Sequence, residues 1–232
     1  MIAVRRAGDR GSTKLQWLVS YHTFSFGQYH DPSHSGFRSL RVINEDRVYP
    51  EGGFPTHSHK EMEILTFVIE GALEHRDNLG NHLMIRRGEI QLMSAGTGVQ
   101  HSEFNPSEND PAHFLQIWIT PEKKGLSPSY QQKFFPDREK KNTLRIVASP
   151  NGREGSLKIH QAAEIYLSSL DEGESIFWDI RPERGLWIQV IRGEVALGSV
   201  QLMPGDGASI ENETRLAIEA KSNAEFFLFD LI

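Results

Sequence analysis

Turn residues break this chain at short, nearly regular intervals, and that punctuation constrains its fold more than any other feature. Glu61 to Glu70 (EMEILTFVIE) is rich in β-branched and aromatic residues and ends at Gly71, with further breaks at Asn78-Leu79-Gly80-Asn81, Arg87-Gly88 and Ala95-Gly96-Thr97-Gly98. Segments of this length and composition, with turn signals about every 8–12 residues, predict a sandwich or barrel of short strands. Upstream, His22, Phe24 and Phe26 alternate with Thr23, Ser25 and Gly27, the period of a half-buried strand, and Leu40 to Asn44 follows.

The pattern stops after Leu115 to Ile119. Pro121 to Asn142 is polar, with three prolines and a charge cluster from Asp137 to Lys141. It reads as a solvated linker that Tyr130, Phe134 and Phe135 pin to the surface. Strand-like segments resume at Leu144 to Ala148, Ser156 to His160, Ser175 to Ile180, Trp187 to Ile191, Leu216 to Glu219 and Phe226 to Leu231. The expected division is therefore a first domain over 1–120, a linker over 121–142 and a second domain over 143–232.

The halves echo one another. Phe67-Val68-Ile69-Glu70-Gly71 resembles Gln189-Val190-Ile191-Arg192-Gly193, and Arg87-Gly88-Glu89 resembles Pro204-Gly205-Asp206, which indicates an internal duplication. The echo fails at the histidines. None occurs after His160, and Trp178, Ile180 and Ile218 fall near the places that His57, His59 and His101 occupy in the first half.

Those histidines carry the chemistry. Thr56-His57-Ser58-His59 and His101-Ser102-Glu103 each place two candidate ligands two residues apart, and on a strand residues i and i+2 share a face. Neutral imidazole and carboxylate bind Zn, Fe, Ni, Cu or Mn, and three His with one Glu leave coordination positions free. His-x-His alone also fits alternate polar residues on an exposed strand. The second motif, following an Ala-Gly-Thr-Gly turn, favours a metal site. His22, His30, His34, His75, His82, His113 and His160 are expected at the surface or hydrogen-bonded in the core, with none assigned to metal. Met93, Phe24, Phe26 and Trp118 are candidate pocket walls, though alternate aromatics in a barrel are more often core.

Composition excludes other classes. With no cysteine, disulfides, thiolate metal sites and Cys nucleophiles are absent. A formal charge of -6 opposes a broad nucleic-acid or anionic-membrane surface. No apolar run approaches the ~20 residues that span a bilayer, and the start lacks the apolar centre of a signal peptide. A cytoplasmic protein is expected.

Gly52 to Gly71 (GGFPTHSHKEMEILTFVIEG) followed by Gly88 to Asn105 (GEIQLMSAGTGVQHSEFN) resembles the two motifs of cupins, small β-barrels that hold a metal inside. More narrowly, S-A-G-T-G-V-x-H-S-E after H-x-H-K is similar to the pirin family, as are His22 to Phe26, Leu115 to Trp118 and Gly155 to Gln161. The resemblance implies an all-β bicupin, two jelly-roll barrels with metal in the N-terminal one only. It makes His57, His59, His101 and Glu103 the ligands. Seven residues separate Glu63 from Gly71 where most cupins have six, a slip that turns a side chain to the other face. It is therefore expected to support the site or to pair with Lys60, and Gln116 and Asn105 are further supporting candidates.

The resemblance also implies a quercetin 2,3-dioxygenase type of activity, with Glu103 as ligand and base, one divalent cation (Fe(II) first, then Zn, Ni, Mn, Co or Cu), and a flavonoid and O2 as substrates. The alternative is a non-enzymatic, metal-holding regulatory protein that acts through a protein partner. A monomer that binds neither nucleic acid nor membrane is expected.

Overall fold

Leu40–Val48 shows how the strands form: Leu40, Val42, Asn44, Asp46 and Val48 occupy alternate positions, and all five are buried. In the computed structural model, which describes Met1–Ile232, the chain is almost entirely such strands and divides into two units. No helix is long and apolar enough to cross a membrane.

One unit comprises Gly11–Phe134 with Ile159–Gln161. Its larger sheet runs, neighbour to neighbour, Ser129–Phe134, Glu89–Ser94, Glu63–Glu70, Ala112–Ile119, Leu40–Val48, Leu18–His22 and Gly11–Lys14; its smaller sheet runs Gly53–His59, Val99–Phe104, Ala72–Asp77 and His82–Arg86. Aliphatic clusters form around Leu18, Val68, Leu73, Ile85 and Phe114, and around Ile64, Met93, Ala95 and Val99.

The other unit comprises Met1–Arg10, Phe135–Lys158 and Ala162–Ile232. Its larger sheet runs Ile2–Arg5, Gly207–Ile210, Gly185–Arg192, Ala224–Leu231, Glu164–Leu170, Arg145–Ser149 and Leu157–Lys158; its smaller sheet runs Ser175–Asp179, Arg215–Ala220, Val195–Leu197 and Val200–Leu202. Each unit is thus a seven-stranded sheet with a four-stranded partner, and the inferred duplication is visible in the order of all but the edge strands of the larger sheets, where Gly11–Lys14 is antiparallel to its neighbour and Leu157–Lys158 parallel.

The structure departs from the sequence expectation at several places. Residues 1–10 join the second unit rather than the first, because Ile2 to Arg5 pair with Ile210 to Gly207. The expected linker over 121–142 is not simply solvated. Ser129–Phe134 pairs with Glu89–Ser94, its prolines flank the strand rather than interrupt it, Tyr130 packs on His75 and Phe135 is buried. The alternation at His22, Phe24 and Phe26 ends as a strand at His22: Ser25 Oγ bonds both the N–H and the carbonyl of Asp31, and Gly27 turns the chain at φ +58. Glu164–Leu170 is a central strand that the sequence reading passed over.

Candidate metal centre and its cavity

Gly53–His59 and Val99–Phe104 lie antiparallel, with His101 opposite His57 and Val99 opposite His59. The strands touch closely at Gly53, where a Cβ would stand 2.5 Å from the Glu103 carbonyl oxygen. Beyond His101 the register slips, so that Glu103 faces Phe54. Such a bulge re-aims side chains.

The ring nitrogens of His57, His59 and His101 converge within 4.8 Å of one another. His57 Nδ1 is 2.8 Å from the Pro55 carbonyl oxygen and donates to it, which leaves Nε2 as a bare lone pair 3.0 Å from His101 Nε2. Burial, then the neighbouring histidines, lowers the pKa of His59 to about 4 and that of His101 to about 3, so both stay neutral near pH 7. His59 Nε2 is buried without any partner. Three converging imidazoles, with one buried nitrogen orphaned, fit a shared divalent cation.

Glu103 is 1% exposed. Its Oε2 accepts from Gln116 Nε2 at 2.8 Å, and the Gln116 amide is oriented by Trp118 Nε1 donating to its Oε1 at 3.3 Å. Glu103 Oε1 is buried and unpartnered. Glu103 also groups with His75 and His101, again within 4.8 Å.

His75 is hydrogen-bonded in the core, as expected, but its link to His101 is what sequence reasoning missed. Its Nε2 lies 3.0 Å from Asp77 Oδ2, and its Nδ1 lies 3.4 Å from His101 Nδ1. Burial raises the pKa of Asp77, but bonds from His75, Asn81 and Leu79 outweigh it and hold Asp77 below the usual carboxylate range. Ionised Asp77 accepts from His75 Nε2–H; His75 Nδ1 then accepts from His101 Nδ1–H, and His101 Nε2 is left bare toward His57. A polar pair inside an otherwise amphipathic hairpin strand, His75-x-Asp77, was the available signal.

Of the supporting residues expected, Gln116 holds Glu103, whereas Asn105 anchors a loop through the carbonyls of Val48 and Asp110. Glu63 does not pair with Lys60; it accepts from Ser94 Oγ at 2.8 Å and from the His160 backbone N–H at 3.2 Å. Met93 and Phe24 are core, while Phe26 and Trp118 line a cavity.

That cavity has a volume of about 350 Å³ and is bounded by His57, His59 and Glu103, with Leu18, Phe54 and the two aromatics as apolar wall. The volume falls in the range of small-molecule sites.

Residues 3–119 match the family model described as Pirin, and residues 146–231 match that described as Quercetinase C-terminal cupin domain. The chain is 47% identical over 231 residues to a protein of Escherichia coli K12 named quercetin 2,3-dioxygenase, covering 100% of this chain and 99% of that one. The crystal structure of YhhW from Escherichia coli superposes with a TM-score of 0.97 at 46% identity, covering 100% of this chain and 98% of that chain. The structure of bacterial pirin YhhW from Escherichia coli in complex with nickel(II) gives a TM-score of 0.96 at 46% identity, covering 100% and 99%.

Proposed function

The chain belongs to the pirin family, and from that premise we propose that it is a metal-dependent quercetin 2,3-dioxygenase, opening the flavonol ring with O2 and releasing carbon monoxide. The observation that carries the proposal is the convergence of three imidazoles on the edge of an aromatic-walled cavity. A closed site would have suited a purely regulatory protein better.

His57, His59, His101 and Glu103 would hold one divalent cation. When bound, the ion supplies Lewis acidity toward a substrate hydroxyl. Three nitrogens and one oxygen are borderline in softness, and Fe(II) is our first assignment for oxygen chemistry, ahead of Zn, Ni, Mn, Co and Cu.

Glu103 takes the proton from the flavonol 3-hydroxyl. Because Gln116 holds Oε2, Oε1 is the oxygen left for both ligation and proton acceptance, and the two roles compete there. Phe26 and Trp118 receive the flat rings and keep water from the electron-rich centre.

Oxygen uptake with quercetin, measured on protein loaded separately with each metal, tests the activity. Glu103→Gln is expected to lower turnover about 100-fold or more while the metal content falls far less. Persistent uptake in that variant would overturn Glu103 as base. Protein made without added metal and filled only by zinc would count against Fe(II).

A further inference from the structure

The cavity has a second polar side, next to the metal cluster and joined to it through Gln116. Ser20 and His22 on one strand, Asn44 and Asp46 on the next and Gln116 on the third all line it, and all five are buried. They are cross-strand neighbours: Ser20 faces Asp46, His22 faces Asn44 and Asn44 faces Gln116. A barrel interior normally presents aliphatic side chains at such positions.

Most of this wall is internally satisfied. His22 Nδ1 is 2.8 Å from Asn44 Oδ1, His22 Nε2 is 2.9 Å from Thr13 Oγ1, and Gln116 is committed to Glu103 and Trp118. Asp46 is the exception. It is 3% exposed, Ser20 hydrogen-bonds its carboxyl group, and its Oδ1 is buried with no partner. A buried carboxyl oxygen left unpaired costs stability, so its retention on a cavity wall points to a group that arrives with the ligand.

We propose that Asp46 is a specificity residue, whose free carboxyl oxygen bonds a second hydroxyl of the ligand, distinct from the one that Glu103 deprotonates. The cavity would thereby select aromatic ligands carrying two or more hydroxyls over those carrying one. The proposal rests on the flavonol reading above. The raised pKa of Asp46, about 7, caused first by burial and then opposed by Ser20 and reinforced by Glu103, agrees with a carboxyl group that shares a proton with its partner. A hydroxyl both donates and accepts, so it can pair with either form.

The test compares quercetin with 3-hydroxyflavone, which keeps the reacting hydroxyl and lacks the others. Binding to Ni(II)-loaded protein without oxygen is followed by titration calorimetry, for the unaltered chain, Asp46→Val and Asp46→Asn. The unaltered protein is expected to prefer quercetin by about 10-fold to 100-fold, the range of a charge-assisted hydrogen bond. Asp46→Val should erase that preference through weaker quercetin binding, with 3-hydroxyflavone unchanged or tighter. Asp46→Asn, which keeps an acceptor in the same place, should retain part of it and stands as the informative variant if the valine protein does not fold.

A preference that survives in both variants, or equal weakening of both ligands, overturns the role of Asp46. If the unaltered protein consumes oxygen with quercetin in that case, the dioxygenase reading stands and this inference alone has failed. If neither flavonol binds the unaltered protein, both fall together.

Discussion

The two units share a strand order and differ in what they enclose. In the second, Leu186, Ile188, Val190, Ile210, Ile218, Phe226 and Leu228 belong to one aliphatic cluster joined by Ile176 and Trp178. In the first, the corresponding strands carry His57, His59, His101 and Glu103, together with Asn44, Asp46 and Gln116. The architecture therefore forms its core cluster without histidines or carboxylates in it. Those in the first unit carry a desolvation cost that the fold does not require, and the natural account of their presence is chemistry.

The strongest way to break this contrast is to make one unit resemble the other. Ile218 lies on the strand that matches that of His101 in the common sheet order. His101→Ile is expected to reduce bound metal from near one per chain to below about a tenth, and turnover at least about 1,000-fold, the scale of losing a Lewis acid. The metal-free variant should lose at most about 1–3 kcal/mol relative to the unaltered metal-free protein, since an aliphatic side chain replaces a buried imidazole but leaves His75 Nδ1 without its donor. Metal analysis and a denaturant titration check both halves. A variant that keeps its metal would show that His101 is not a ligand.

The converse substitution is Ile218→Ala in the second unit. Ile218 is fully buried in the aliphatic cluster, and its truncation should cost about 2–5 kcal/mol of stability. Oxygen uptake per bound metal should not change. Urea unfolding at fixed metal content separates the two effects; loss of metal from this variant would undo the division between a chemical and a structural unit.

How much of this was legible in the sequence follows from the range of the interactions. His57-x-His59 and His101-x-Glu103 announce themselves because ligand and strand period coincide within three residues, although the bulge after His101 shows that simple alternation does not by itself aim Glu103. Asp46 and Asn44 carry a weaker signal. They continue the inward face of Leu40-x-Val42 and replace two aliphatic positions, but their significance appears only when Ser20, His22 and Gln116 are brought alongside by pairing. Residues 1–10 pack with the second unit because Ile2 pairs with Ile210, a contact that no local pattern records. Glu164–Leu170 was missed for its paired serines, Ser168 and Ser169, which dilute the apolar run of a central strand.

Asp46 sharpens the comparison through pH. Its pKa rises on folding from 3.8 to about 7, so between those values the folded chain binds the proton more tightly than the unfolded chain. Its contribution to stability is therefore complete below about pH 4 and disappears as pH rises through about 7. Asp46→Asn removes this dependence. Relative to the unaltered metal-free protein, the variant should gain stability from pH 5 to pH 8, by on the order of 2–4 kcal/mol at the upper end. Denaturant midpoints across that range check the sign; a difference that does not change with pH would mean that Asp46 is ionised throughout.

The smallest effect expected comes from Asp77, the cross-strand neighbour of the candidate ligand His101, whose carboxylate is linked to the His101 ring through His75. Asp77→Asn keeps the size of the side chain but can present its amide N–H to His75 Nε2, which then becomes the acceptor and turns the Nδ1 proton toward His101. His101 Nδ1 would lose its acceptor, and the tautomer that bares Nε2 would no longer be favoured. Metal affinity should fall about 10-fold to 100-fold, the usual effect of removing a partner behind a ligating imidazole. Equilibrium dialysis of Ni(II) measures it, and Asp77→Glu should recover part of the loss because a carboxylate again accepts from His75. Equal affinity in all three proteins would place Asp77 in the loop alone, where it also binds the backbone N–H groups of Leu79 and Asn81.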